Sequence, residues 1–102
     1  MPRLDCKRVK FYSPADEAAF FRFAESIKAV RRVEGVGDSE VLHVTSRVSH
    51  DSLRDLIALF ERYRIPRMTQ LAQFLSPSNR SWFADPEKFW HKKVFTDAMH
   101  PT

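Results

Sequence analysis

The sequence predicts a small α+β protein in which a three-stranded sheet carries both main helices on one face. Residues 6–12 and 41–47 alternate apolar and polar side chains, which is the period of a β-strand with one buried face. Residues 49–65 instead repeat at the spacing of one helix face, through Leu53, Leu56, Ile57, Phe60 and Tyr63. An amphipathic helix cannot bury its own apolar stripe, so we expect the sheet to supply the covering surface.

The first strand and first helix are predicted from residues 6–29. In the strand, alternation puts Val9 on the buried side, and Arg8, Lys10 and Tyr12 on the other. Ser13 and the proline after it form a typical helix start, because serine caps the free amides and proline suits the first helical position. Apolar residues then recur at helical spacing, which predicts a helix to about residue 29.

A hairpin is predicted between the two helices. Gly35 and Gly37 are the only glycines in the chain, and both fall where a turn needs backbone freedom. We therefore expect strands at residues 30–35 and 41–47, with His43 and Arg47 pointing away from the core. The second helix starts with Ser49 or Ser52 as its cap and ends before Pro66. No glycine follows this helix, so Arg64 or Ile65 must make its exit.

The last third of the chain predicts three short helical pieces rich in aromatic residues, at residues 68–75, 76–83 and 85–95. The element order is then β-α-β-β-α followed by a helical tail. This order resembles a truncated ferredoxin-like arrangement, with the tail standing where a fourth strand would be. The resemblance is to a fold plan that hosts many unrelated functions.

The length and composition of the chain indicate one domain over residues 1–102, with residues 1–5 and 96–102 frayed at its ends. The 102 residues are 43% hydrophobic and 29% charged, which is typical of a folded domain with a core of its own. A single cysteine excludes an internal disulfide and favours a reducing, cytoplasmic setting. The longest apolar run is far shorter than a membrane span, and no signal peptide pattern is present, so we expect no membrane association.

The outward side of the predicted sheet is the first candidate binding surface. It would combine basic and ring-bearing side chains, namely Arg8, Lys10, Tyr12, His43 and Arg47. Stacking platforms next to phosphate-binding cations are what single-stranded RNA recognition requires. The formal net charge of +4 is compatible with such a partner, but such an excess is also common where surface charges are merely solvated. The aromatic tail could instead fold across this face.

The tail is the second candidate surface, through Trp82 and Trp90. Two tryptophans on adjacent short helices can form a hot spot for a protein partner, or they can cover the core with each indole N–H bonded at its rim. An exposed strand edge could also accept a protein partner or a second copy in a homodimer.

No motif indicates an enzyme, a cofactor or a metal site. Two glycines in all leave no phosphate cradle or Rossmann turn, and the four histidines lack metal-ligand spacing. Cys6 next to Lys7 could be a reactive thiol, but a buried and inert one is commoner. The sequence therefore predicts a small protein-interaction or regulatory module without catalytic residues or cofactors. Single-stranded RNA binding is the alternative.

Overall fold

The structure is a computed structural model that describes residues 2–96. It divides into two compact units, Met1–Pro66 and Arg67–Thr102. The predicted fraying of residue 1 and of residues 97–102 lies outside the described residues.

The first unit has the element order β-α-β-β-α. The strands are β1 (Arg3–Lys7), β2 (Val30–Val36) and β3 (Ser39–Val44), and the helices are α1 (Pro14–Ser26) and α2 (His50–Arg62). The sheet order is β1-β3-β2, and both neighbouring pairs are antiparallel. This confirms a small α+β unit with a three-stranded antiparallel sheet.

Cross-strand register separates the sheet into a buried and an open face. Leu4 lies opposite Leu42, and Val30 lies opposite Val44, all on the buried face. Leu4, Leu42 and Val44 are fully buried there. The open face carries Arg3 opposite His43, and Arg32 next to them on β2.

The predicted first strand is wrong in its extent. The strand is Arg3–Lys7, so residues 3–5 are paired to β3 and are not frayed. Arg8 adopts a φ of 54°, in the left-handed region that few residues other than glycine adopt, and this ends the strand. Its amide donates to the carbonyl of Asp38 in the hairpin turn at 3.0 Å, which anchors the exit. Residues 8–12 therefore form a loop leading into α1.

The caps of both helices follow the sequence signals. The Ser13 hydroxyl accepts from the Asp16 amide at 3.1 Å, and Pro14 takes the first helical position. Ser49 caps α2, where its hydroxyl accepts from the Ser52 amide at 3.1 Å. Ser52 turns inward instead, and its hydroxyl accepts from the Ala29 amide at 3.3 Å, just before β2. The choice that the sequence left open between these serines is therefore Ser49.

The second unit contains a 3₁₀ helix (Met68–Phe74), α3 (Arg80–Phe83) and α4 (His91–Phe95). Each of the three predicted pieces contains one of these helices, but α3 and α4 are shorter than predicted. Buried Asn79 explains the late start of α3, because its side chain donates to the Phe74 carbonyl at 2.8 Å and accepts from the Ser76 amide at 2.9 Å. Thr96, expected to fray, donates its hydroxyl to the Lys92 carbonyl at 2.7 Å.

Candidate functional site

A groove of about 620 Å³ lies within the first unit and is the candidate site. Its walls come from two separate stretches of chain, the loop between β1 and α1 and the end of α2. Its lining residues are Arg8, Lys10, Tyr12, Asp16, Arg62, Tyr63 and Arg64. Three of these residues, Arg8, Lys10 and Tyr12, belong to the predicted binding set. The volume is within the range of pockets that hold small organic ligands.

The end of α2 places Arg64 in the groove wall. The Arg64 amide donates to the Glu61 carbonyl at 3.3 Å, and the Ile65 amide donates to the Phe60 carbonyl at 2.9 Å. These two bonds are the Schellman pattern that closes a helix, with the buried Ile65 side chain on the core side. The pattern requires a left-handed residue, usually glycine, and here Arg64 has a φ of 51°.

The start of α1 fixes the opposite wall. The Asp16 carboxylate accepts from the Tyr12 amide at 3.0 Å, while the Asp16 amide donates to the Ser13 hydroxyl. This pair is a variant of the capping box, and it holds the backbone of Tyr12 at the helix entrance. The Tyr12 side chain is 81% exposed, so its ring projects into solvent at the groove. The Lys10 ammonium lies 5.3 Å from the centre of that ring.

The aromatic floor beneath the groove is packed and rigid. The Tyr63 ring makes edge contacts with Phe11 and Phe20 at centroid distances of 6.4 and 5.1 Å. Phe11 also lies 5.4 Å from Phe20, whose side chain is fully buried. Ring contacts at these distances stabilise beyond the area that they bury, so the floor couples the loop to both helices.

The electrostatics of the groove are strongly positive. Four cationic side chains and one carboxylate line it, a formal excess of three positive charges. Arg8 is partly neutralised, because its Nε donates to Asp38 Oδ2 at 3.0 Å, and this hydrogen bond lowers the pKa of the Asp38 carboxyl. Within residues 2–96, Lys10, Arg62 and Arg64 have no carboxylate within 4 Å. In the described part of the chain these three exposed cations therefore line the groove without a direct ion pair, and Asp16 is the one carboxylate in its lining.

The other predicted residues on the sheet, His43 and Arg47, are not in this groove. His43 lies on the open face of β3, where its Nε2 is 2.8 Å from Glu34 Oε1. That hydrogen bond is the main cause of a lowered pKa for Glu34. Arg47 is exposed in the loop between β3 and α2. The predicted residues are thus not brought together on one sheet face, because Arg8, Lys10 and Tyr12 lie in the loop after β1 while His43 lies on β3.

Trp82 and Trp90 belong to an aromatic cluster within the second unit. Their rings meet edge to face at 6.1 Å, and Trp90 Nε1 donates to the Phe83 carbonyl at 2.9 Å. Both tryptophans are half-buried, whereas the neighbouring Phe89 is 58% exposed. The indoles therefore pack this small unit and keep only part of their surface accessible.

Cys6 is fully buried on the covered face of the sheet. Burial, with added repulsion from Asp5 and Glu40, raises the pKa of its thiol to about 12. A thiol with this pKa is protonated at neutral pH and is a poor nucleophile. The reactive-thiol interpretation therefore fails at this position.

Over residues 2–96, no group of three or more histidine, cysteine, aspartate or glutamate residues is arranged to hold a metal ion. In the same residues, no helix has the length and apolar character needed to cross a membrane.

Arg62, Tyr63 and Arg64 were missed as candidate site residues by sequence reasoning. The helical pattern puts Tyr63 in the apolar stripe, Arg62 on the polar face and Arg64 at the exit, and their proximity to residues 8–12 depends on tertiary structure. One local signal was present: an arginine stands where a helix of this type normally ends with glycine. Comparison with known proteins adds nothing further, because no family model, curated protein or solved structure matches this chain.

Proposed function

We propose that this chain is a small non-catalytic binding module whose groove holds a phosphate-bearing polyanion. The observation that carries the proposal is that Lys10, Arg62 and Arg64 line one groove and that none of them forms an ion pair within residues 2–96. Like charges brought together destabilise a fold unless a ligand compensates them. Arginine and lysine are also the side chains that bind phosphate oxygens most effectively.

The backbone at the groove supports the same proposal. Arg8 and Arg64 both occupy the left-handed region, at φ values of 54° and 51°. A glycine would adopt this conformation without the steric cost that a side chain adds there. Strained residues of this kind concentrate at binding sites, where the side chain is needed for the ligand.

The architecture proposed for the first unit is the truncated ferredoxin-like one, with both helices on one face. Its support is the sheet order β1-β3-β2 together with full burial of Leu4 and Leu42 on a single face. Such an arrangement would place the loop after β1 and the end of α2 at the same end of the sheet, which would account for their lining one groove.

The test is a binding titration with a linear polyphosphate at several salt concentrations. Neutralising three phosphates should give a slope of about −2 in log K against log salt, and about a 20-fold loss of affinity between 50 and 200 mM salt. The double substitution Lys10→Ala and Arg62→Ala should remove most of this binding, whereas Arg47→Ala, outside the groove, should leave it unchanged. Absence of any binding at 50 mM salt would refute the proposal.

A second candidate function is self-association through β2, which is one of the two outer strands of the described sheet. Its support is charge complementarity: antiparallel pairing of two copies about a two-fold axis at Val33 would bring Arg32 of one copy opposite Glu34 of the other. Val36, at the end of the same strand, is 47% exposed, and such pairing would place it opposite Val30 of the second copy. A protein partner that presents a similar strand would use the same edge.

The molecular mass in solution tests this candidate. Glu34→Lys should give a monomer, since lysine would then lie opposite Arg32. Combining it with Arg32→Glu should restore the dimer by exchanging the charges. A monomer for the unmodified chain at high concentration would eliminate the candidate.

A further inference from the structure

The groove combines its cations with an exposed tyrosine ring, and this combination narrows the class of polyanion. We propose that the ligand is single-stranded nucleic acid, with one base stacked on Tyr12 and the adjoining phosphates held by Lys10, Arg62 and Arg64. The inference rests on the proposed function, because it identifies the occupant of the same groove.

Tyr12 is the feature that phosphate binding alone does not explain. Its side chain is 81% exposed, although large apolar rings are normally covered. Its backbone is nevertheless fixed, because the Tyr12 amide donates to Asp16 Oδ2 at 3.0 Å. The fold therefore fixes the backbone that carries the ring, so that only the side-chain rotamer of Tyr12 has to be ordered when a base stacks on it.

The position of Lys10 suits a stacked base on one side of that ring. Its ammonium lies 5.3 Å from the ring centre, close enough for a cation–π contact. A ring has two faces, so a cation near one face leaves the other available for a base. The same ammonium then lies beside the phosphate that follows the stacked base, which is how single-strand binding proteins combine rings and cations.

A duplex does not fit this arrangement. Its bases are stacked on one another and present only their edges in the grooves, so no base face is available to Tyr12. A single strand exposes base faces without the breaking of base pairs. Aromatic stacking then contributes to affinity with little dependence on sequence.

The experiment measures fluorescence anisotropy with three dye-labelled ligands of matched length: a hexauridylate, an abasic hexamer with the same phosphodiester backbone, and an RNA duplex. At 50 mM salt the hexauridylate should bind at least about 5-fold more tightly than the abasic strand, which is the lower end of one stacking interaction. The affinity of the hexauridylate should also exceed that of the duplex when both are compared per phosphate group. Tyr12→Ala should abolish the advantage over the abasic strand, and Tyr12→Phe should retain it.

The outcomes separate this inference from the proposed function. Equal binding of the hexauridylate and the abasic strand, unaffected by Tyr12→Ala, would overturn the stacking inference and leave a polyanion groove. Preference for the duplex would also overturn it. No binding of any ligand, including linear polyphosphate, would refute the proposed function itself. Because Tyr12 is exposed, circular dichroism of Tyr12→Ala should match that of the unmodified chain, which excludes unfolding as the cause.

Discussion

Replacing Arg64 by glycine should weaken ligand binding without weakening the fold. Arg64 occupies the left-handed position of the α2 exit, at a φ of 51°. A residue with a Cβ is destabilised there by roughly 1–2 kcal/mol relative to its preferred conformations. Glycine avoids this cost but increases the entropy of the unfolded chain by about 0.4–1 kcal/mol. The expected net change in the free energy of unfolding is therefore a gain of about 0–1.6 kcal/mol.

The same substitution removes one of the three unpaired cations from the groove. In the counterion-release description, one phosphate contact on a single strand contributes about 0.7 units of slope in log K against log salt. The loss of Arg64 should thus change a slope of about −2 to about −1.4, and reduce affinity about 5-fold at 0.1 M salt.

The assay pairs urea denaturation with anisotropy titrations, and two variants serve as controls. Arg62→Ala removes a groove cation from a helical position, so it should reduce binding without stabilising the fold. Arg67→Gly relieves a comparable backbone, at a φ of 61°, and Arg67 does not line the groove. It should therefore not change binding. If Arg64→Gly lost more than about 1 kcal/mol of stability, or bound polyanion as tightly as the unmodified chain, the reasoning would be refuted.

Three further predictions concern stability. Phe60→Ala should cost about 3–5 kcal/mol in urea denaturation, because Phe60 is fully buried in the α2 stripe; a loss under about 1 kcal/mol would contradict its burial. In the folded chain the pKa of the Cys6 thiol is raised from 9.0 to about 12. Its contribution to the free energy of unfolding is therefore fully present below pH 9 and is lost as the pH rises toward 12. Between pH 9 and 11 the free energy of unfolding of the unmodified chain should accordingly fall by up to about 1.4 kcal/mol per pH unit more than that of Cys6→Ala. Parallel pH profiles of the two proteins would argue against the raised pKa. Trp90→Phe removes the hydrogen bond from the indole to the Phe83 carbonyl and should reduce the stability measured by thermal unfolding by about 1 kcal/mol. Phe89→Leu changes a 58% exposed position and should reduce stability less. The reverse order would show that the indole hydrogen bond is unimportant.

Local signals in the sequence were sufficient for the elements of the first unit. The cap at Ser13, the hairpin at Gly37 and the stripe through Phe60 depend on neighbours within a few residues, and each is found as predicted. The absence of glycine after α2 predicts an exit at Arg64 or Ile65, and the left-handed residue is Arg64. Such features follow from backbone geometry and period, which a sequence displays directly.

Only part of the candidate site was predicted, because the first strand lies at Arg3–Lys7 and not at residues 6–12. Residues 3–7 alternate in character as residues 6–12 do, so alternation alone does not distinguish the two ranges. The structure ends the strand at Lys7 because Arg8 turns left-handed and bonds to Asp38, thirty positions along the chain. Alternation does not encode that long-range contact. Lys10 and Tyr12 were therefore assigned to the sheet, when they face the end of α2 across the groove.

The most direct test of the groove is a heteronuclear NMR titration of the ¹⁵N-labelled chain with hexauridylate. The account predicts that the largest amide shifts fall in two segments distant in sequence, residues 8–16 and 62–64, and diminish together as salt is raised. Shifts confined to the open sheet face around His43, or the absence of shifts at 50 mM salt, would contradict it.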